Sequence, residues 1–277
     1  MTLRESFGVG LAAPRMNRFF AADGNALTIC GEHGLFGVPS WLPGLSALDE
    51  VVDTGVETGV DVLTLTMGQA HLLQRVRGPR RPALNLRADV WDAYADGQTA
   101  PLYSEPLARA VDRAVALDAA GVVASLFALP GHPELQTASV RTIDRLRADC
   151  TPVGMPLQVE VLALAPTGGV PAVDSNPDTI ALLVRQAVEL GADIVKCEPT
   201  DPLEEFPRIV EAAGGRPLIV GGGVLGTDAE VLERSAAVMR HGAQGLAYGR
   251  SIWRADKPAA MVERLLRVVH GHNEESQ

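Results

Sequence analysis

Residues 176–197 read NPDTIALLVRQAVELGADIVKC, and this stretch shows the unit from which the chain is built. Asn176 followed by Pro177 is typical of a helix start, with a capping residue before a proline in the first turn. Apolar residues then recur at helical spacing as far as Gly191, where a glycine suits the left-handed conformation that ends many helices. A short apolar run over 193–197 follows directly. The stretch therefore predicts a helix, a tight loop and a strand.

The same alternation of short apolar runs and helical patterns covers most of the chain. The predicted strands are Ala26–Cys30, Asp61–Thr66, Ala83–Arg87, Gly121–Phe127, Leu157–Leu164, Asp193–Cys197, Pro217–Val220 and Gly245–Tyr248. The predicted helices lie near 46–57, 68–76, 103–119, 136–149, 176–190, 203–213, 228–241 and 258–270. Eight strands, each followed by a helix, indicate a single-domain α/β fold, the (β/α)8 or TIM barrel. An open doubly wound sheet has the same alternation and is the alternative.

The predicted barrel domain covers residues 26–270, with an N-terminal segment over 1–25 and a polar C-terminal tail over 271–277. The chain has 277 residues, a formal net charge of −10 and 47% hydrophobic residues. The acidic balance argues against nucleic acid as a partner. The chain has no run of about 18 apolar residues, so the sequence predicts no membrane span. Three widely spaced cysteines indicate neither a disulfide framework nor a zinc site. We therefore expect a soluble, cytoplasmic protein.

Lysine is scarce in this chain, and one of its lysines stands in an unusual place. There are 22 arginines but only two lysines, Lys196 and Lys257. Lys257 precedes a proline in a polar stretch, as is typical of solvated surface. Lys196 ends an apolar run, where a charge is costly unless the pKa of the amine falls or a carboxylate pairs with it. A neutral amine attacks carbonyl groups to form a Schiff base, whereas an ion pair with Glu160 or Glu198 would be structural.

Several charged side chains are predicted at one end of the barrel, because active-site residues of barrels lie at the carboxyl ends of the strands. These charged residues are Glu32, Arg87, Asp89, Glu160, Lys196, Glu198 and Arg250. No two histidines have the spacing of metal ligands, which favours chemistry without a metal or other cofactor. A divalent ion held by Glu32, His33 and Glu160 stays open as an alternative. Trp41 is predicted to lie over the mouth, whereas Trp91 and Tyr94 are predicted to pack or to line the rim.

Two glycine-containing loops indicate a phosphate site. Gly221-Gly222-Gly223 follows the seventh predicted strand, and Gly249-Arg250-Ser251 follows the eighth. Barrels often bind phosphate between these two loops through backbone N–H groups. Arg250 adds a guanidinium that can bind a phosphate through two hydrogen bonds. We therefore predict a phosphorylated small molecule as the partner.

Four motifs together resemble the class I aldolases of the DeoC/LacD family. They are GADIVKCEP at 191–199 with the glycine-rich loop after it, GAQGLAYGRS at 242–251, GEHG at 31–34 and MPLQVE at 155–160. The resemblance extends from about Leu27 to His270. It implies a (β/α)8 barrel that cleaves or joins sugar phosphates through a lysine Schiff base, without a metal, and that often associates into a homo-oligomer.

The resemblance also assigns roles to single residues. Lys196 matches the Schiff-base lysine, and Glu160 matches the carboxylate that acts as acid and base in one branch. Glu32, next to the matching His33, stands where the family usually has Asp. The matching phosphate-binding positions are Gly222, Gly223, Gly249 and Arg250.

The chain also departs from some members of the family. Leu162 stands where some members have a proton-carrying tyrosine, and the fourth strand lacks the second lysine of others. The implied reaction is cleavage or formation of a ketose phosphate, with dihydroxyacetone phosphate as one product and Arg87 at the distal end of the sugar. The alternatives are a metal-dependent lyase or isomerase and a non-catalytic sugar-phosphate-binding protein.

Overall fold

The computed structural model describes residues 10–42, 48–78, 81–95, 101–222 and 226–271. Eight parallel strands in these ranges form a closed barrel: β1 Ala26–Cys30, β2 Val62–Leu65, β3 Ala83–Arg87, β4 Gly121–Ala128, β5 Leu157–Ala165, β6 Ile194–Cys197, β7 Leu218–Gly221 and β8 Gly245–Tyr248. Each strand pairs with its neighbours in chain order, β1 pairs with β8, and β4 pairs with β5. The pairing of β1 with β8 confirms the predicted barrel and excludes the open sheet.

Helices surround this barrel, apart from α1 Ala13–Phe19, which packs against its amino-terminal end. They are α1 Ala13–Phe19, α2 Leu48–Thr58, α3 Ala70–Gln74, α4 Ala110–Ala116, α5 Pro133–Cys150, α6 Pro177–Glu189, α7 Phe206–Ala212, α8 Asp228–Arg240, α9 Arg250–Trp253 and α10 Pro258–His270. The predicted cap of α6 is present, because the Asn176 side chain accepts hydrogen bonds from the backbone N–H groups of Asp178 and Thr179. In the described ranges, no helix is long and apolar enough to cross a membrane.

The amino-terminal end of the barrel is closed by apolar side chains. Met16 and Phe19 of α1, together with Phe20, pack in one buried cluster with inward-facing strand residues such as Ile194 and Ile219. A second and larger cluster joins the outward faces of the strands to the surrounding helices. Because the strands are buried on both faces and one end is plugged, the opposite end, at the carboxyl ends of the strands, is where a ligand can enter.

The helix predicted over 103–119 is wrong in its first turns. Ser104–Pro106 is a strand that pairs antiparallel with Asp89–Trp91, and α4 begins only at Ala110. The side chain of Asp92 accepts a hydrogen bond from the backbone N–H of Tyr103, which fixes the start of this returning strand. Of the predicted helix, only Ala110–Ala116 is helical. The short hairpin lies next to the carboxyl end of β3 and so reaches the mouth of the barrel.

Candidate active site

Lys196 and Glu160 form an ion pair inside the barrel. They are register partners on the adjacent strands β6 and β5. The Glu160 Oε1 atom lies 2.5 Å from the Lys196 Nζ atom, and the two residues are only 7% and 8% exposed. Both side chains line a pocket that opens at the carboxyl ends of the strands. The ion pair of Lys196 with Glu160, which the sequence left open as a structural alternative to a Schiff-base lysine, is therefore present. It lies at the pocket, where a ligand can reach it.

Arg87 holds the carboxylates of this pocket in place. Its Nη2 atom donates to Glu160 Oε2 at 2.7 Å and to Glu32 Oε1 at 3.1 Å. Its Nη1 atom donates to Asp89 Oδ1 at 3.2 Å and to Ser125 Oγ at 3.1 Å. The side chain is 1% exposed. Both terminal nitrogens of the residue predicted to contact the sugar are thus bonded to the protein itself.

The charges of the pair are set by these contacts. Burial alone would raise the pKa of Glu160, but Lys196 and Arg87 lower that pKa to about 2. Burial alone would lower the pKa of Lys196, but the nearby Glu160 and Glu32 carboxylates raise it above its ordinary value. The lysine expected to be neutral is therefore protonated in the ligand-free protein. The reason is that a carboxylate in direct contact outweighs the cost of burial.

Two further polar atoms lie in the loop after β1 and lack a partner. Among the described residues, neither Glu32 Oε2 nor His33 Nδ1 has a hydrogen-bond partner, although both atoms are buried. Burial lowers the pKa of His33 to about 4, so that the imidazole is neutral at pH 7. An unsatisfied buried polar atom is costly. Both residues line the pocket.

The loops after β7 and β8 form another side of the pocket. Gly222, Gly249 and Arg250 all line it, as the sequence predicted. A Cβ atom at Gly249 would collide with the His33 ring, and a Cβ atom at Gly222 would lie 2.6 Å from the Tyr248 ring. The backbone at these two positions therefore requires glycine. Gly223 lies outside the described residues.

Four aromatic rings line the pocket, and we call them the aromatic wall: Phe36, Trp41, Trp91 and Tyr94. The ring centroids of Phe36 and Trp91 are 3.9 Å apart, and those of Trp41 and Tyr94 are 4.9 Å apart. The Arg250 guanidinium lies 4.5 Å from the centroid of the Trp41 ring. The sequence predicted that Trp41 lies over the mouth, but not that the four rings line one side of the pocket together. The only sequence signal of the aromatic wall is a set of aromatic residues in the loops after the first and third strands.

The described residues also bear on the proposed metal alternative. They contain no group of three or more His, Cys, Asp and Glu side chains arranged to hold a metal ion. Two of the candidate ligands, Glu32 and Glu160, are each bonded to the Arg87 guanidinium. A divalent ion bound to both carboxylates would have to compete with that buried cation.

Comparisons with known proteins agree on one family. The model of the DeoC/LacD family aldolases matches residues 29–255. An uncharacterised aldolase of Saccharolobus solfataricus is 29% identical over 92% of this chain and 93% of its own length. The 3-hydroxy-5-phosphonooxypentane-2,4-dione thiolase of Escherichia coli K12 is 31% identical over 94% of this chain and 82% of its own length.

Comparison with solved structures shows a shared fold. A solved archaeal fructose-1,6-bisphosphate aldolase, with its catalytic lysine covalently bound to the carbinolamine intermediate of the substrate, superposes with a TM-score of 0.78. The two sequences are 24% identical over 94% of this chain and 99% of that one. The agreement at this level of identity is one of fold.

Proposed function

The chain belongs to the DeoC/LacD family of aldolases, and on that premise we propose that it is a Schiff-base aldolase acting on a ketose phosphate. Lys196 forms the Schiff base, no metal or other cofactor takes part, and dihydroxyacetone phosphate is one product. The observation that carries the proposal is the contact of Lys196 Nζ with Glu160 Oε1 at the pocket. A buried amine beside a carboxylate has the two groups that imine chemistry needs, a nucleophile and a proton carrier.

The first step makes the amine nucleophilic. Lys196 is protonated at rest, so its proton passes to Glu160, which it already contacts. The neutral nitrogen attacks the ketone carbon of the substrate and forms a carbinolamine. Glu160 then returns a proton to the departing hydroxyl group, which leaves as water. The products of this step are an iminium on Lys196 and a Glu160 carboxylate, so that protons and charges balance.

The iminium then accepts the electrons of the breaking carbon–carbon bond. Glu160 removes the proton of the substrate hydroxyl next to that bond, the aldehyde leaves, and an enamine remains on Lys196. Glu160 returns the proton to the enamine carbon, and water hydrolyses the new iminium to release the ketone phosphate. The unpartnered Glu32 Oε2 and His33 Nδ1 atoms support a role in holding the substrate hydroxyl groups. Arg87, which bonds both Glu32 and Glu160, orients these carboxylates.

The phosphate of the substrate binds at the loops after β7 and β8 in this proposal. Arg250 supplies the positive charge, and the backbone at Gly222, Gly223 and Gly249 supplies N–H donors. The support is the position of Gly222, Gly249 and Arg250 along one side of the pocket, together with the steric need for glycine at two of them. The phosphorylated substrate for which the Escherichia coli thiolase is named supports a phosphorylated substrate for this chain.

A turnover experiment tests the proposal. Fructose 1-phosphate, fructose 1,6-bisphosphate and tagatose 1,6-bisphosphate are each incubated with the protein, and release of dihydroxyacetone phosphate is followed with and without EDTA. We expect cleavage of at least one ketose phosphate, unchanged by EDTA, and complete loss in Lys196→Arg. Lys257→Arg is the matched control, because Lys257 is exposed and is the chain's other lysine. Activity that survives Lys196→Arg, or that EDTA removes, would reject the proposal in favour of the metal-dependent alternative.

A further inference from the structure

We infer that the aldehyde partner of the reaction is unphosphorylated and carries an apolar group of about the size of an aromatic ring, which the aromatic wall binds. The inference rests on the proposed function, because it names the second substrate of that same pocket. It comes from the distribution of apolar and cationic side chains around the mouth of the barrel.

The apolar surface extends from the segment after β1 to the segment after β3. Phe36 and Trp41 follow β1, which pairs with β8, so this part of the surface adjoins Arg250; Trp91 and Tyr94 follow β3, which is opposite β7 in the ring of eight strands. Leu162 on β5 lies two residues after Glu160 and therefore points to the same side, one layer nearer the mouth. Leu162 packs in the same buried cluster as Phe36 and Trp91. The surface above the catalytic carboxylate is thus apolar.

The aromatic wall is continuous with the phosphate side at one ring. Trp41 contacts both the Arg250 guanidinium and the Tyr94 ring, and Tyr94 in turn lies 5.8 Å from Trp91 between ring centroids. Because Phe36 and Trp91 are buried and stacked on each other, a donor bound with its phosphate at Arg250 and its ketone carbon at Lys196 leaves the half-buried Tyr94 ring as the apolar surface for the second substrate. Flat apolar groups pack favourably against such rings in edge or offset geometry.

Among the described residues, the pocket has no cation available to bind a second phosphate. The cations that line it in the described ranges are Arg87, Lys196 and Arg250. Arg87 is bonded to three carboxylates, and Lys196 is consumed by the Schiff base. Burying a dianion beside the pocket's carboxylates without a cation would be costly.

In the synthetic direction the carbon–carbon bond forms between the enamine carbon on Lys196 and the aldehyde carbon. The aldehyde oxygen takes its proton from the carboxyl group of Glu160, and water then hydrolyses the iminium. An apolar group on the aldehyde contacts the aromatic wall throughout and takes no part in proton transfer. The contact lowers the free energy of the transition state relative to the free aldehyde, and so raises kcat/KM.

The test compares aldehydes at saturating dihydroxyacetone phosphate. We expect kcat/KM for phenylacetaldehyde to exceed that for glyceraldehyde 3-phosphate and for glyceraldehyde by roughly tenfold or more, the scale on which apolar pockets discriminate. A kcat/KM for either glyceraldehyde equal to or above that for phenylacetaldehyde would overturn the inference. This comparison needs only the wild-type protein.

Variants of Tyr94 connect the preference with the wall. Tyr94→Ala should reduce the preference for phenylacetaldehyde at least about threefold, and Tyr94→Phe, which keeps the ring, should restore it. Tyr103→Ala is the control, since Tyr103 is exposed and lies outside the pocket. An unchanged preference in Tyr94→Ala would contradict the assignment of the wall.

Borohydride reduction with dihydroxyacetone phosphate alone separates the two claims. An adduct on Lys196 together with a preference for glyceraldehyde 3-phosphate would overturn only this inference. The lack of an adduct on Lys196 would overturn the proposed function, and this inference with it.

Discussion

Glu160 and Lys196 are register partners on neighbouring parallel strands, and their charged atoms lie 2.5 Å apart in the ligand-free protein. The amine therefore keeps its proton at rest, yet a base for that proton is already in contact. The state that attacks a ketone, a neutral amine beside a carboxylic acid, contains the same number of protons as the resting ion pair. Its population within the pair therefore does not depend on the pH of the solvent.

Glu160→Gln should separate binding of the ketone from proton transfer. We expect turnover to fall by about 10²- to 10⁴-fold, the usual contribution of a general acid–base group. The pKa of Lys196 should fall, because the carboxylate that does most to raise it is gone. Trapping of a ketone on Lys196 should therefore rise with pH in the variant, whereas in the wild type, where the pair holds its own proton, it should vary little with pH. Unchanged turnover, or a trapping profile that depends on pH no more in the variant than in the wild type, would contradict the assignment of Glu160.

Arg87→Met should destabilise the protein strongly. It leaves the carboxylates of Glu32, Asp89 and Glu160 buried without their shared cation, and removing one partner of a buried ion pair costs about 3–5 kcal/mol. Urea unfolding measures the loss. Arg185→Met breaks only an exposed pair with Glu189 and should change the free energy of unfolding by no more than about 0.5 kcal/mol. Equal losses in the two variants would show that Arg87 does not organise the pocket.

Arg250→Ala should discriminate between phosphorylated and unphosphorylated donors. We expect KM for dihydroxyacetone phosphate to rise about 10- to 100-fold, because a hydrogen bond to a charged group contributes about 1.5–3 kcal/mol. KM for dihydroxyacetone should stay within about twofold, and Arg264→Ala, which breaks only an exposed pair with Asp228, should affect neither. Equal increases in KM for both donors would contradict the assignment of the phosphate site to Arg250.

His270 should make stability depend on pH at the opposite end of the barrel. Its hydrogen bonds to Asp61 and Asp23 connect the end of α10 to residues flanking β1 and β2. The bond to Asp61 is the largest influence, and together these carboxylates raise the pKa of His270 to about 9, above the unfolded value of about 6.5. The contribution to stability is therefore complete below pH 6.5 and is lost as the pH rises through 9.

The measurement is the free energy of unfolding at pH 6 and pH 9.5. We expect the wild type to lose about 1 kcal/mol more than His270→Gln between these values, a figure reduced for solvent screening of a partly exposed group. His71→Gln, at an exposed position on α3, should behave like the wild type. A pH dependence that is identical in His270→Gln and the wild type would show that the hydrogen bonds of His270 to Asp23 and Asp61 make no charge-dependent contribution to stability.

The fold could be predicted from the sequence because its signals are local. All eight strands are short apolar runs, and the predicted bounds of β1, β3 and β8 match the structure residue for residue. The antiparallel hairpin of Asp89–Trp91 with Ser104–Pro106 could not be predicted, because its partner residues are distant in sequence and one of them lies in an apparent helical pattern. Pairing across a loop overrides local spacing there.

The residues that line the candidate site could be predicted from the sequence more readily than their protonation states. Lys196, Glu160, Glu32, His33, Gly222, Gly249 and Arg250 line one pocket, as expected from their positions at strand ends. The protonated state of Lys196 depends on the register of β5 with β6, and the aromatic wall depends on how two loops meet, so neither is visible in a linear pattern. The homo-oligomeric state and the cytoplasmic location stay predictions.

The central claim is that Lys196 condenses with the ketone of a phosphorylated substrate. The most direct test is borohydride reduction of the protein with dihydroxyacetone phosphate, followed by peptide mass mapping. The chain contains only two lysines, so the site of an adduct is unambiguous. We expect one reduced adduct per chain on Lys196, and none in Lys196→Arg. An adduct on the exposed Lys257 in place of Lys196, or no adduct at all, would contradict it.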